Sequence, residues 1–194
     1  MKVVPDPRVD FPAVFAKGGD KIEQRRLVAE YALAWIKYQK GCGEHGCIVF
    51  DIDDTLVDGH ERVAGGFQFM VDMYAKVHLL FPIHIVTARP NQDHAKCLKL
   101  LESRGIIVPP DRLHMLQTEL WGEDSRHVEE FKWRCHVEFV TKHTNVVARF
   151  GDKLWDVAHI QSLNTYLSHV RDRDCYVFFD PYLKGTLSCK LPGQ

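Results

Sequence analysis

The chain has 194 residues, 45% of them hydrophobic and 26% charged, which suits one soluble globular domain with a substantial core and is short for two full domains. Its 25 basic and 26 acidic residues nearly cancel, so no overall field points to nucleic acid or an anionic membrane, although a local basic groove stays open. No run approaches the roughly 18 consecutive apolar residues of a membrane span, and the opening MKVVPDPRVDFPAV has prolines and aspartates where a signal peptide would be apolar.

The expectation is therefore an intracellular, cytoplasmic protein whose six cysteines are free thiols, and no N-x-S/T sequon argues otherwise. In chain order, Asp20 and Glu23 resemble a capping box ahead of an amphipathic helix. That helix puts Val28, Tyr31, Trp35 and Tyr38 on one stripe and stops at Gly41, and the stripe reads as core packing. In the CGEHGC that follows, Cys42, His45 and Cys47 could supply three zinc ligands. No fourth ligand stands at a proper spacing, however, and Cys47 opens a strand, so a glycine-rich loop with incidental thiols is the preferred reading.

From there strands and helices alternate. Strand 47–52 precedes a helix with Phe67, Met70, Tyr74 and Val77 at helical spacing. Strand 83–87 precedes a helix capped by Asn91 and stopped by Gly105, and a third strand is expected over 111–116. A helix from Ser125, a strand over 145–150, a helix starting with WDVAHI and a last strand over 175–179 complete the pattern. Five short strands separated by helices predict a mostly parallel five-stranded sheet in a Rossmann-like three-layer α/β/α sandwich, with ligands beyond the carboxyl ends of the strands. The chain then divides into an N-terminal extension and helix (1–45), a core (46–180) and a C-terminal tail (181–194).

Chemistry collects at those strand ends. CIVFDIDDTLVDG runs from buried apolar residues straight into Asp51, Asp53 and Asp54, an expensive clustering of like charge unless something positive joins it. Thr87 ends the second strand, and Asp152 follows the fourth in FGDKLWD, with Asp156 four residues on.

In the motifs DIDDT, VTARP, FKWR and GDKLWD, in this order over residues 47 to 160, the chain resembles the haloacid dehalogenase (HAD) superfamily of phosphohydrolases and phosphotransferases. Within it the chain looks most like the acid-phosphatase branch, subfamily IIIB, which also contains plant vegetative storage proteins. The resemblance implies a HAD-type phosphomonoester hydrolase with Asp51 as nucleophile, forming an aspartyl-phosphate, and Asp53 as general acid and base. It also implies Thr87 as a hydrogen-bond donor to phosphoryl oxygens and Lys132 as the cation pairing Asp51 and the phosphate. Lys132 is preferred over Lys142, which lies near the far end of the same helix. Magnesium would be held by the Asp51 and Asp152 carboxylates and the Asp53 backbone carbonyl, with Asp156 as a direct or outer contributor.

Arg89 either touches substrate or is a structural partner for a nearby carboxylate, and it is left out of the catalytic set. The 57–66 segment is expected to be a flap whose His60, Glu61 and Arg62 either touch the leaving group or are simply solvated, and Trp121 in the 117–124 loop is expected to plug the core. Neither the interval from Thr55 to Pro82 nor that from Arg89 to Phe131 leaves room for a large cap, so the cap is minimal and the substrate a bulky phosphorylated one: a nucleotide, a nucleic acid end or a phosphoprotein. A nucleic acid substrate is permitted by this frame, as in polynucleotide kinase phosphatase domains, but is not indicated by net charge, and no membrane partner is expected. The reading from another class is a non-catalytic storage or binding protein, disfavoured because Asp51, Asp53, Thr87, Lys132 and Asp152 are all present.

Overall fold

The computed structural model describes residues 20–57, 67–117, 119, 125–143, 145–158, 175–179 and 186–192. The first helix, α1 (Lys21–Gly41), is capped by Asp20, whose Oδ1 accepts from Ile22 N at 2.9 Å. Glu23 does not complete the expected capping box: its carboxylate accepts from Arg26 Nε and Nη2 at 2.8 and 2.5 Å. Val28, Tyr31 and Trp35 are buried and Tyr38 packs at the edge of the core, so the aromatic stripe is packing surface.

Strand β1 (Cys47–Phe50), helix α2 (Gln68–Val77), strand β2 (Ile83–Pro90), helix α3 (His94–Ser103), strand β3 (Leu113–Leu116), helix α4 (Ser125–His143) and strand β4 (Val146–Gly151) follow. A short turn of helix, α5 (Leu154–Val157), precedes β5 (Tyr176–Phe179) and β6 (Leu187–Lys190). The fold is α/β with a mostly parallel sheet, as the strand–helix alternation predicts, but the described sheet has six strands in the order β3-β2-β1-β4-β6-β5 rather than five. The expected last strand is the antiparallel edge, and the missing member lies inside the segment read as a tail. β6 pairs in parallel with β4, with Ala148 opposite Leu187 and Phe150 opposite Cys189, so this part of 181–194 belongs to the core.

The sheet divides its side chains by the period of two that a strand imposes. Ile48, Phe50, Ile83, Ile85, Leu113, Met115, Ala148 and Phe150 join the core beneath α1, α2 and α3, where Phe50 stacks on Phe150 at 4.6 Å. Cys47, Val49 and Val86 face the other way and pack with Cys135 and Phe139 of α4, joined by Val146, which precedes a register shift between β1 and β4. Helices therefore cover both faces. The helix expected beyond residue 158, the 58–66 part of the flap with His60, Glu61 and Arg62, and Trp121 lie outside the described residues. No helix among the described residues is long and apolar enough to cross a membrane, and all six cysteines are free thiols.

Candidate active site

Strand alternation places Asp51 on the α4 side of the sheet, in phase with Cys47 and Val49, just where β1 ends. On α4, Val128, Lys132, Cys135 and Phe139 form the stripe that faces the sheet. These two periodicities bring Lys132 Nζ to 2.7 Å from Asp51 Oδ1, with both side chains buried. Lys142, the competing lysine of the sequence, is exposed.

The same ammonium donates to Asp156 Oδ1 in a short ion pair. Asp156 Oδ2 accepts from the backbone N–H of Lys153 at 2.9 Å, so both oxygens of this carboxylate are engaged by the protein. Gly151 makes this possible: a Cβ there would stand 2.1 Å from Asp156 Cβ, so only a glycine lets α5 fold back against the end of β4. Asp152 is buried beside them, with Oδ2 3.6 Å from Lys153 Nζ. One oxygen from each of Asp51, Asp152 and Asp156 lies within 4.8 Å of the others.

Burial pushes the Asp51 carboxyl well above the usual carboxylate range; Lys132 opposes the shift and Asp156 adds to it. Burial alone would depress the Lys132 ammonium, but Asp156 and Asp51 outweigh it and the net direction is up. The Asp152 carboxyl is pushed up to about 6, by burial and then by Asp156. Three buried carboxyls set against one buried ammonium leave an excess of acid that a divalent cation would neutralise, and an all-oxygen donor set suits a hard ion. Asp156 has both oxygens engaged, by Lys132 and Lys153, whereas Asp51 and Asp152 each have one oxygen in an ion pair, so these two would be the direct ligands of an ion and Asp156 would orient the lysine.

Asp53 stands apart from this acid cluster. Its two oxygens accept from Arg89 Nε and Nη2 at 2.9 and 2.6 Å, a two-point fork from the end of β2. The register between β2 and β3 breaks between Thr87 and Pro90, and from that irregular stretch Arg89 reaches back across β1. Thr87 is fully buried at the same edge, and its Oγ1 accepts from Arg89 N at 3.2 Å. The structure thus brings Asp51, Lys132, Asp152 and Asp156 together, sets Thr87 one strand away, and gives Asp53 a guanidinium partner in place of a share in the carboxylate cluster.

The turn that carries Asp51 and Asp53 is held from below by Arg25 of α1. Asp54 adopts φ 52°, a left-handed conformation that aspartate tolerates better than most residues, and its carbonyl accepts from Arg25 Nη2 at 3.0 Å. Arg25 Nη2 also donates to Pro192 O at 2.8 Å, and its guanidinium lies 4.1 Å above the Phe67 ring. One buried side chain so ties the motif turn to the start of α2 and to the C-terminal end of the sheet. Arg25 was legible only as an arginine three residues before Val28, on a stripe that is otherwise buried and mostly apolar.

No family model and no curated protein matches the chain. Among solved structures, the Class C acid phosphatase from Bacillus anthracis aligns over 77% of this chain and 79% of its own, at 16% sequence identity and a TM-score of 0.45.

Proposed function

We propose that the protein is a Mg2+-dependent phosphomonoester hydrolase that works through an aspartyl-phosphate on Asp51. The observation that carries this reading is the buried group of Asp51, Lys132, Asp152 and Asp156 at the carboxyl edge of a parallel sheet, where such folds bind ligands. Phosphoryl transfer asks for an in-line nucleophile and fixed positive charge around oxygens that carry spread negative charge. Bound magnesium would supply part of that charge and relieve the repulsion between a carboxylate nucleophile and a dianionic phosphate.

Lys132 supplies the rest and holds Asp51 in one rotamer. An oxygen of Asp51 attacks phosphorus as the bond to the leaving oxygen breaks, and Asp53 gives that oxygen its proton. Water then attacks the aspartyl-phosphate, Asp53 takes the water proton, and inorganic phosphate leaves with Asp51 regenerated. For both proton transfers Arg89 must release one oxygen of Asp53. The short intervals on either side of β2 favour an open site and a bulky phosphomonoester, such as a nucleotide, an oligonucleotide end or a phosphopeptide.

The test is steady-state kcat/KM over nucleotides, sugar phosphates, phosphopeptides and 3′-phosphorylated oligonucleotides, with Mg2+ and with a chelator. Turnover that needs Mg2+ is expected, with bulky substrates at least equal to small ones. Undiminished turnover in the chelator overturns the mechanism. A preference above about a hundredfold for a small sugar phosphate, roughly 2.7 kcal/mol in transition-state terms, overturns the open site.

A further inference from the structure

A second polar cluster lies under the opposite end of α4, and nothing in the proposed hydrolysis uses it. Cys47 opens β1, His84 sits near the start of β2, His114 lies on the neighbouring β3, and His143 closes α4. From Cys47 to Asp51 is about 13 Å along a strand, and from His143 to Lys132 about 16 Å along a helix. The two clusters therefore mark the two ends of one strand–helix sandwich.

The geometry is that of a chain of imidazoles with a thiol beside it. His84 Nε2 is 2.8 Å from His143 Nε2, and His84 Nδ1 is 3.0 Å from His114 Nε2. The His84 ring stacks on Phe139 at 4.2 Å, which fixes its plane. One ligand atom from each of Cys47, His84 and His143 lies within 4.8 Å of the others. Cys47 and His84 are buried, while His143 is half-buried at the end of its helix, which leaves a way in. The neighbours of Cys47 are therefore not those of CGEHGC: Cys42 and His45 are exposed, whereas Cys47 lies against the histidines.

We infer that Cys47, His84 and His143 form a site for a borderline-soft divalent transition ion of the zinc class, chemically distinct from the carboxylate site at the other end of the sheet. One sulfur and two imidazole nitrogens favour such an ion and disfavour Mg2+. With His84 ligating through Nε2, its Nδ1–H donates to His114 Nε2, the outer hydrogen bond that normally orients a ligating histidine. Two nitrogens each ~2.05 Å from a tetrahedral ion stand ~3.3 Å apart, so the pair must open slightly, and His143 at the helix end is the side that moves. Burial pushes the imidazoles of His84 and His114 down, which keeps them in the neutral form that binds metal. Burial holds the Cys47 thiol up at about 12, so coordination displaces one proton from sulfur into solvent.

The experiment is titration of the metal-stripped full chain with Co2+ in excess Mg2+, read by absorbance. One equivalent of Co2+ should bind with a near-ultraviolet thiolate-to-cobalt charge-transfer band that Zn2+ then abolishes. The band should persist in Cys42→Ser, vanish in Cys47→Ser, and require at least tenfold more Co2+ in His143→Gln. A cobalt ion on the aspartates alone has no sulfur ligand and gives no such band. Absence of the band in the wild type, a band of full size in Cys47→Ser, or unchanged Co2+ affinity in His143→Gln overturns the site and leaves a hydrogen-bonded imidazole chain. If Cys47→Ser does not fold, His143→Gln decides alone.

Discussion

Arg89 grips Asp53 from the adjacent strand, its Nε and Nη2 donating to the two carboxylate oxygens at 2.9 and 2.6 Å. The pair is partly open to solvent, with side-chain exposures of 29% and 40%, so it adds at most about 1 kcal/mol to folding. It fixes where Asp53 points and, under the proposed hydrolysis, would add positive charge beside the phosphate. Arg89→Gln should lower kcat/KM for phosphomonoesters at least tenfold while shifting the unfolding free energy by less than about 1 kcal/mol. Activity within twofold of wild type would show the fork to be only structural.

Asp51 and Lys132 should separate activity from stability. Asp51→Asn removes the proposed nucleophile but leaves Lys132 paired with Asp156, so turnover should fall below about a hundredth of wild type with stability lowered by no more than about 1 kcal/mol. Lys132→Met strands the buried carboxyls of Asp51 and Asp156 without their ammonium and should lower stability by roughly 3–5 kcal/mol. Denaturant midpoints of the two variants, measured in a chelator, check the contrast; equal losses would contradict the shared-lysine arrangement.

Asp152 is the acid-cluster carboxylate with the weakest hold on a protein cation, at 3.6 Å from Lys153. Asp152→Ala should therefore raise the Mg2+ concentration needed for half-maximal activity by tenfold or more, with little change at saturation in the leaving-group dependence. An unchanged Mg2+ requirement would remove Asp152 from the ligand set.

Gly151→Ala puts a methyl group 2.1 Å from Asp156 Cβ. The change should cost about 1–3 kcal/mol of stability through overpacking and should lower activity by pushing Asp156 off Lys132. Thermal or denaturant unfolding measures the first effect, and kcat the second; a neutral substitution would mean that α5 can move without consequence.

The imidazole chain makes a prediction in pH. Burial, then the nearby His114, His143, Arg112 and Lys142, push the His84 imidazole down to about 3, against about 6.5 in an unfolded chain. Between those values the unfolded state binds a proton that the native state refuses. The contribution is complete above about pH 6.5 and is lost by up to ~1.4 kcal/mol per pH unit as pH falls toward 3. The raised carboxyls of Asp51 and Asp152 act in the opposite direction, losing stability as pH rises toward about 6 for Asp152, so a bulk stability profile mixes the two. The His84 ring resonances in the native, metal-free protein isolate its share: they should stay those of a neutral imidazole from pH 8 to 5. A midpoint above pH 5 would contradict the buried chain.

Period-two and period-3.6 patterns carried most of the architecture: β1, β2 and β4 announce themselves as apolar runs, and α1, α2 and α4 as stripes such as Val28–Tyr31–Trp35. The same local signals put Asp51 at a strand end and Lys132 on the inward stripe of a helix, because each depends only on near neighbours in sequence. What they could not carry is β6. Thr186, Ser188 and Lys190 look solvated, yet they are fully buried, their side chains donating to the carbonyls of Val146, Val157 and Leu191. For Thr186 and Ser188 the partners are backbone carbonyls 40 and 31 residues away, and no local pattern encodes that.

The same limit separated Asp53 from the acid cluster, committed Asp156 to Lys132, and turned Cys47 from its sequence neighbours Cys42 and His45 toward His84 and His143. Charged, thiol and imidazole groups 24 to 96 residues apart meet only when strand order and helix placement are fixed, and those come from long-range burial rather than from spacing along the chain.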